Sequence, residues 1–146
     1  MAVALRAAGA LISGAFVFLA WFAPVYQSWK GYPAGEGIYQ LLNPFCHQYP
    51  TRSLWVWDRP FALCSRCFAG YLGVFFACLF LWRDWSYTKR LLWGVLLLAP
   101  GVIDPIVQFL TPYESTNTLR VLTGLAGGVG VFLLLYPYSM KREVGR

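Results

Sequence analysis

The chain is short of charge. Only 12% of its 146 residues are charged while 58% are hydrophobic, and soluble domains carry about 25% charged residues. A water-facing surface all round is thereby excluded. A concentrated basic patch is also missing. The formal charge is +6, but the lysines and arginines are scattered among loops, so no nucleic-acid partner is expected. They read instead as topology signals beside a lipid bilayer. There is no internal repeat and no low-complexity segment, and 146 residues suit one domain. A clean small-x-small cleavage site is absent from Ala20-Trp21-Phe22-Ala23, just before Pro24. The apolar run over residues 7–23, broken only by Ser13, also exceeds the usual signal core of about 7–15 residues. A retained helix with Arg6 at its start is the expectation.

What the chain does contain is long uncharged runs and many amphipathic rings. Spans are expected at about residues 7–27, 64–82, 91–110 and 119–138, since a membrane helix needs roughly 20 apolar residues. The nine Tyr and seven Trp, with Trp82 and Trp85 as anchors, fit interfacial belts. The expected fold is an all-α membrane protein, a bundle of about four transmembrane helices forming a single polytopic domain over residues 1–146. Residues 28–63, rich in proline and charge, form one long, partly irregular loop with a short helix around 37–42. Arg6, Arg83, Lys89, Arg90, Lys141, Arg142 and Arg146 fall on one side of this topology. Lys30, Arg52, Arg59, Arg66 and Arg120 fall on the other, over a much longer loop. The bias places both termini in the cytoplasm and the loop outside a cell membrane, where disulfides can persist.

That loop carries the chemistry. Cys46-His47-Gln48 is followed by Cys64-Ser65-Arg66-Cys67, and His47 is the single histidine. A Cys-x-x-Cys at the start of an apolar helix serves metal binding or thiol exchange, and the helix N-terminus together with Arg66 would favour a thiolate at Cys64. Cys46, Cys64 and Cys67 are the first candidate metal ligands, with His47 the fourth. Thiolates and imidazole favour zinc. The plainer reading is a structural disulfide or buried thiols. The polar residues of the apolar segments fall on the same side. Asp104 is costly in a membrane helix, at roughly 2.5–3.5 kcal/mol, and Arg120 is its expected partner. Asp104 precedes Pro105 and could sit at a helix break. Gln48, Arg66, Gln108, Asn117 and Arg120 are candidate supporting polar groups, and Asp104 and Glu114 are candidate general bases. Cys78, among phenylalanines, reads as a packed, inert thiol. Gly124, Gly127, Gly128 and Gly130, with Gly70 and Gly73 on the second span, read as close-packing positions.

With Cys46-His47-Gln48, Pro50, Arg52-Ser53, Cys64-Ser65-Arg66-Cys67 and Gly70-Tyr71-Leu72-Gly73, the chain resembles the predicted integral membrane family named domain of unknown function 2085. Asp104, Gln108, Asn117, Arg120 and Thr123-Gly124 fit a second signature of that family. The likeness covers roughly residues 40–130. Pro105 departs from the pattern, where a glycine is expected after the aspartate. The resemblance implies a small bacterial or archaeal multi-spanning protein and implies no particular reaction.

Three functions compete. The first is a membrane protein with an outward zinc site, structural if four protein groups bind and catalytic if one position stays open for water. The second is a membrane thiol-disulfide oxidoreductase, with Cys64 attacking, Cys67 resolving and Cys46 as shuttle. The third is a carrier or channel component lined by Asp104, Gln108 and Arg120, for which four spans would call for a homo-oligomer. Lipid is the partner common to all three, and the sequence names no protein partner.

Overall fold

The computed structural model describes residues 2–81 and 85–135. The expected anchor Trp82, the basic residues Arg83, Lys141, Arg142 and Arg146, and the last turn of the fourth expected span lie outside the described residues. Five α-helices account for most of the rest: α1 (Ala2–Lys30), α2 (Glu36–Leu42), α3 (Ser65–Phe80), α4 (Tyr87–Leu110) and α5 (Asn117–Leu135). Among the described residues, α1, α4 and α5 are long and apolar enough to cross a membrane. Helix α3 is apolar but shorter. At about 1.5 Å per residue its 16 residues reach roughly 24 Å, less than a hydrocarbon core about 30 Å thick.

The expectation of an all-α chain needs correcting. The long loop folds into an antiparallel hairpin, β1 (Ser53–Val56) and β2 (Arg59–Cys64), with Ser53 opposite Cys64 and Val56 opposite Arg59. Its two-residue tip, Trp57-Asp58, holds both residues at positive φ, 45° and 60°. Such turns match the right-handed twist of the strands but usually recruit Asn-Gly, so this one carried no local signal. The hairpin forms because β2 has an apolar run to bury: Ala62 and Leu63 pack among Ala20, Ala23 and Leu42 of α1 and α2, and Phe61 meets Phe68 of α3 at 5.0 Å between ring centroids.

The helices pack in the order α1, α3, α5, α4. Most buried positions between them are small, Ala20, Ala23, Ala69, Ala77, Gly73, Gly124, Gly127, Gly128 and Gly130, with Phe132 and Leu133 on α5 as the large exceptions. The large apolar side chains point out, among them Leu11, Ile12, Phe18, Leu92, Leu96, Ile103, Ile106 and Phe109. This inverts the order of a soluble protein. Lipid gives Leu and Phe no reason to hide, so helices associate by backbone approach at small residues. Of the glycines read from the sequence, Gly70, Gly73, Gly124 and Gly128 lie in the α3–α5 contact, where a side chain on Gly73 would strike the Leu125 carbonyl and one on Gly128 the Gly70 carbonyl, while Gly127 and Gly130 face α4.

Hydrogen bonds orient the bundle. At one end Arg6, on α1, is buried and donates to the carbonyls of Cys78 (3.0 Å), Ala77 (3.3 Å) and Leu81 (2.8 Å). It thereby satisfies carbonyls at the C-terminus of α3, which hydrocarbon would leave unmet. Arg90 donates to the Leu133 carbonyl at 3.1 Å at this same end. The hairpin and the starts of α3 and α5 lie at the other end.

Candidate metal centre

Cysteine sulfurs from separate parts of the chain meet at the hairpin end of the bundle. After a 3₁₀ turn at Asn43–Phe45 the backbone extends at Cys46 (φ −157°, ψ 140°) and passes under β2. There the Sγ of Cys46 accepts the backbone N–H of Cys64 at 3.2 Å. Cys64 ends β2 and caps α3, its own Sγ accepting the N–H of Cys67 at 3.5 Å. Cys46 and Cys64 are 7% and 5% exposed, and with Cys67 they pack among Ala20, Ala23, Leu42, Ala62 and Leu63. The potential ligand atoms of Cys46, His47 and Cys64 lie within 4.8 Å of one another. Cys67, in the first turn of α3, is not among these three but packs against the same buried cluster and donates its backbone N–H to the Cys64 sulfur. All four cysteines, Cys78 included, are free thiols. Cys78 stands apart, buried with Ala77 and Phe132.

These contacts set the charge. The Cys46 thiol is held far below its usual range, first by the hydrogen bond from Cys64, then by that from Cys67, with backbone N–H groups of Cys64 and Gln48 adding to it. Cys64 is pushed up, chiefly by the same bond to Cys46 and further by burial. These contacts favour ionisation at Cys46 rather than at Cys64, where the sequence placed it. Arg66, expected to help ionise Cys64, turns away to Asp104.

His47 is placed differently. It is exposed, its ring stacks on Tyr49 at 4.4 Å between centroids, and its Nδ1 accepts the backbone N–H of Tyr49 at 3.0 Å. A lone pair committed there leaves the proton of the neutral ring on Nε2. Metal-bound histidines usually have the reverse arrangement, the second nitrogen donating outward. Gln48 belongs to the scaffold: from a left-handed backbone (φ 53°) its Nε2 donates to the carbonyls of Tyr39 (2.7 Å) and Ala62 (2.9 Å). This clamps α2 to β2. The hydroxyl of Tyr39 adds a bond to the Pro60 carbonyl at 2.6 Å.

A second polar cluster lies at the same end, where α3, α4 and α5 meet. Asp104 pairs with Arg66, not with Arg120 as the sequence suggested. Gln108 Nε2 donates to Asp104 Oδ2 at 2.9 Å and to Ser115 Oγ at 2.8 Å. Arg120 donates to Gln108 Oε1 at 3.2 Å and Asn117 Oδ1 at 3.1 Å. Asn117 in turn donates to the Ser53 carbonyl at 3.3 Å, tying α5 to the hairpin. The helix break considered at Pro105 does not occur, because α4 continues through Pro100 and Pro105 to Leu110. Glu114 is exposed and pairs with Arg52 at 3.4 Å. Ser115, buried and central to this cluster, was missed: a serine in a polar turn carries no signal until α4 and α3 close over it.

The comparisons agree with this picture. A family described as "Predicted membrane protein" (DUF2085) matches residues 46–134. An uncharacterized protein of Methanocaldococcus jannaschii is 30% identical over 108 residues, covering 68% of this chain and 67% of its own length. An uncharacterized protein of Methanothermobacter thermautotrophicus is 37% identical over 91 residues, 61% of this chain and 82% of that protein. No solved structure matches. The match opens at the first sulfur, Cys46, and runs through the polar cluster into the last described turns of α5, and the chain belongs to the DUF2085 family of predicted membrane proteins.

Proposed function

We propose that this chain is a four-span membrane protein that holds zinc at the outer end of its bundle, with Cys46, Cys64 and Cys67 as ligands and His47 as the fourth. In this reading α3 is the short fourth span, tucked between α1 and α5 and capped by Arg6. The observation that carries the reading is the meeting of three sulfurs, two of which accept backbone N–H bonds. Such bonds stabilise thiolates, the form that binds metal. Ligands about 2.3 Å from a tetrahedral zinc stand about 3.8 Å apart, which suits Cys46, His47 and Cys64, whose donor atoms lie within 4.8 Å of one another, and Cys67 packs beside them. The donor set of three thiols and one imidazole is an accepted structural zinc set.

The site acts as a staple rather than a reaction centre. Asp104 is engaged by Arg66 and Gln108, and Glu114 by Arg52, so neither carboxylate is poised as a base. Zinc would tie residue 46 of the loop to the hairpin and to the first turn of α3. Elemental analysis of the detergent-purified chain, prepared without chelator, should find about one zinc per chain, and a Cys64→Ser, Cys67→Ser variant should have none. The thiol-exchange reading keeps one supporting observation, the Cys46 sulfur hydrogen-bonded by the Cys64 N–H beside two further free thiols. Metal-free protein whose cysteines alkylate only after reduction would replace the zinc reading with it.

The basic-residue bias places the hairpin outside the cell membrane and the termini in the cytoplasm. Trp57, at the tip, is 68% exposed. A Trp57→Cys variant should be labelled by a membrane-impermeant maleimide in intact cells. Labelling only after lysis would invert the topology.

A further inference from the structure

The polar cluster beside the sulfurs holds more positive charge than it balances. Two guanidinium groups, Arg66 and Arg120, share one carboxylate, Asp104, and that carboxylate is already bound by Arg66. Arg120 is 5% exposed, and its guanidinium donates to two amide oxygens, those of Gln108 and Asn117. Neutral oxygens can satisfy its N–H groups but not its charge, and a buried unbalanced charge beside hydrocarbon is costly. The Nε of Arg66 is itself buried and has no hydrogen-bond partner. The field is made more positive by the backbone, because α3 begins at Ser65 and α5 at Asn117, so two helix N-termini point here. The pairing of Arg52 with Glu114 at the rim is balanced and adds nothing to either side. The cluster is reachable, since the Arg66 side chain is 23% exposed.

We propose that Arg66 and Arg120, flanked by Gln108, Asn117 and Ser115, bind a phosphate-class anion at the outer membrane rim. The same chemistry is offered by a phospholipid headgroup and by free phosphate. Arg forks are suited to either, because planar paired N–H donors match phosphate oxygens. Asp104 acts as a built-in competitor that holds Arg66 when the anion is away. The proposal is independent of the zinc reading, since none of its groups is a proposed ligand.

The test uses the full chain in detergent at constant ionic strength, with inorganic phosphate against chloride, read by thermal unfolding, and native mass spectrometry for retained lipid. Phosphate should raise the melting temperature, and Arg120→Gln should weaken phosphate binding at least tenfold. Asp104→Asn should strengthen it about tenfold by releasing Arg66, a gain that a purely structural network would not give. It keeps the test alive if Arg120→Gln fails to fold. Co-purified anionic phospholipid that is lost in Arg120→Gln and resists phosphate identifies the headgroup as the source. A phosphate response without retained lipid identifies the free anion. No phosphate response and no retained lipid overturns the proposal, as does an Asp104→Asn variant that binds no better than the wild type.

Discussion

Gly128→Ala is expected to part α5 from α3, while Gly127→Ala, one residue away, leaves the bundle intact. A β-carbon on Gly128 would strike the Gly70 carbonyl oxygen and lie 2.9 Å from the Gly70 carbonyl carbon and 3.0 Å from the Val74 nitrogen. These atoms are consecutive-turn backbone groups of α3, and no rotamer change can move them. Relief requires the helix axes to separate along their whole contact, which also withdraws Gly73 from Leu125 and Gly124 from Arg66. Overpacking of a core typically costs about 1–3 kcal/mol, and immovable backbone puts this case at the upper end or beyond. A β-carbon on Gly127 meets only the tip of Leu98, at 3.8 Å. Alanine there should be neutral, or stabilising by up to about 1 kcal/mol, because glycine loses more backbone freedom on ordering. Unfolding of the purified variants in mixed micelles by SDS titration separates the two. Equal behaviour of the two alanines would mean that α3 and α5 are not packed through these glycines.

The second large effect is at Cys46. On the zinc reading, Cys46→Ser should lower zinc affinity on the order of a hundredfold. A structural zinc site contributes about 10–16 kcal/mol, and a quarter of that, about 3 kcal/mol, is roughly two decades of affinity. The loss should exceed that of His47→Ala, for which about tenfold is expected. Cys46 already holds its sulfur toward the site by accepting the Cys64 N–H, whereas His47 must first release the Tyr49 N–H from Nδ1. Competition against a chromophoric chelator measures both. Chelation should also lower the melting temperature of the wild type more than that of Cys46→Ser. Undiminished zinc affinity in Cys46→Ser would dissolve the cluster as a metal site. Equal losses in the two variants would make His47 a full ligand from the start.

The polar cluster shows where reading along the chain ran out. Asp104 in an apolar helix demanded a cation, and the sequence offered Arg66 and Arg120 at the same end of the bundle. Choosing between them requires knowing which helix comes nearest. Gly124 has no side chain to fend off the Arg66 carbonyl, so α5 lies tight against α3. Arg66 then crosses to Asp104, while Arg120 turns to Gln108 and Asn117. The hairpin escaped for a related reason. Nothing in Trp57-Asp58 favours two left-handed residues in a row, and only the burial of Phe61, Ala62 and Leu63 under the loop makes that turn worth adopting.

By itself, the amino-acid order determined that this chain belongs in lipid, which end of the bundle bears its polar and sulfur-bearing residues, and where helices could touch. Scarce charge, uncharged runs of membrane length and spaced glycines are local quantities, and each acts through its immediate neighbours in the chain. Which sulfur the surroundings favour for ionisation, which arginine meets Asp104 and that the loop closes as a two-stranded hairpin were decided only by the tertiary structure. Those outcomes depend on distances between segments far apart in sequence, and helix approach at glycine backbones sets such distances to within a fraction of an ångström.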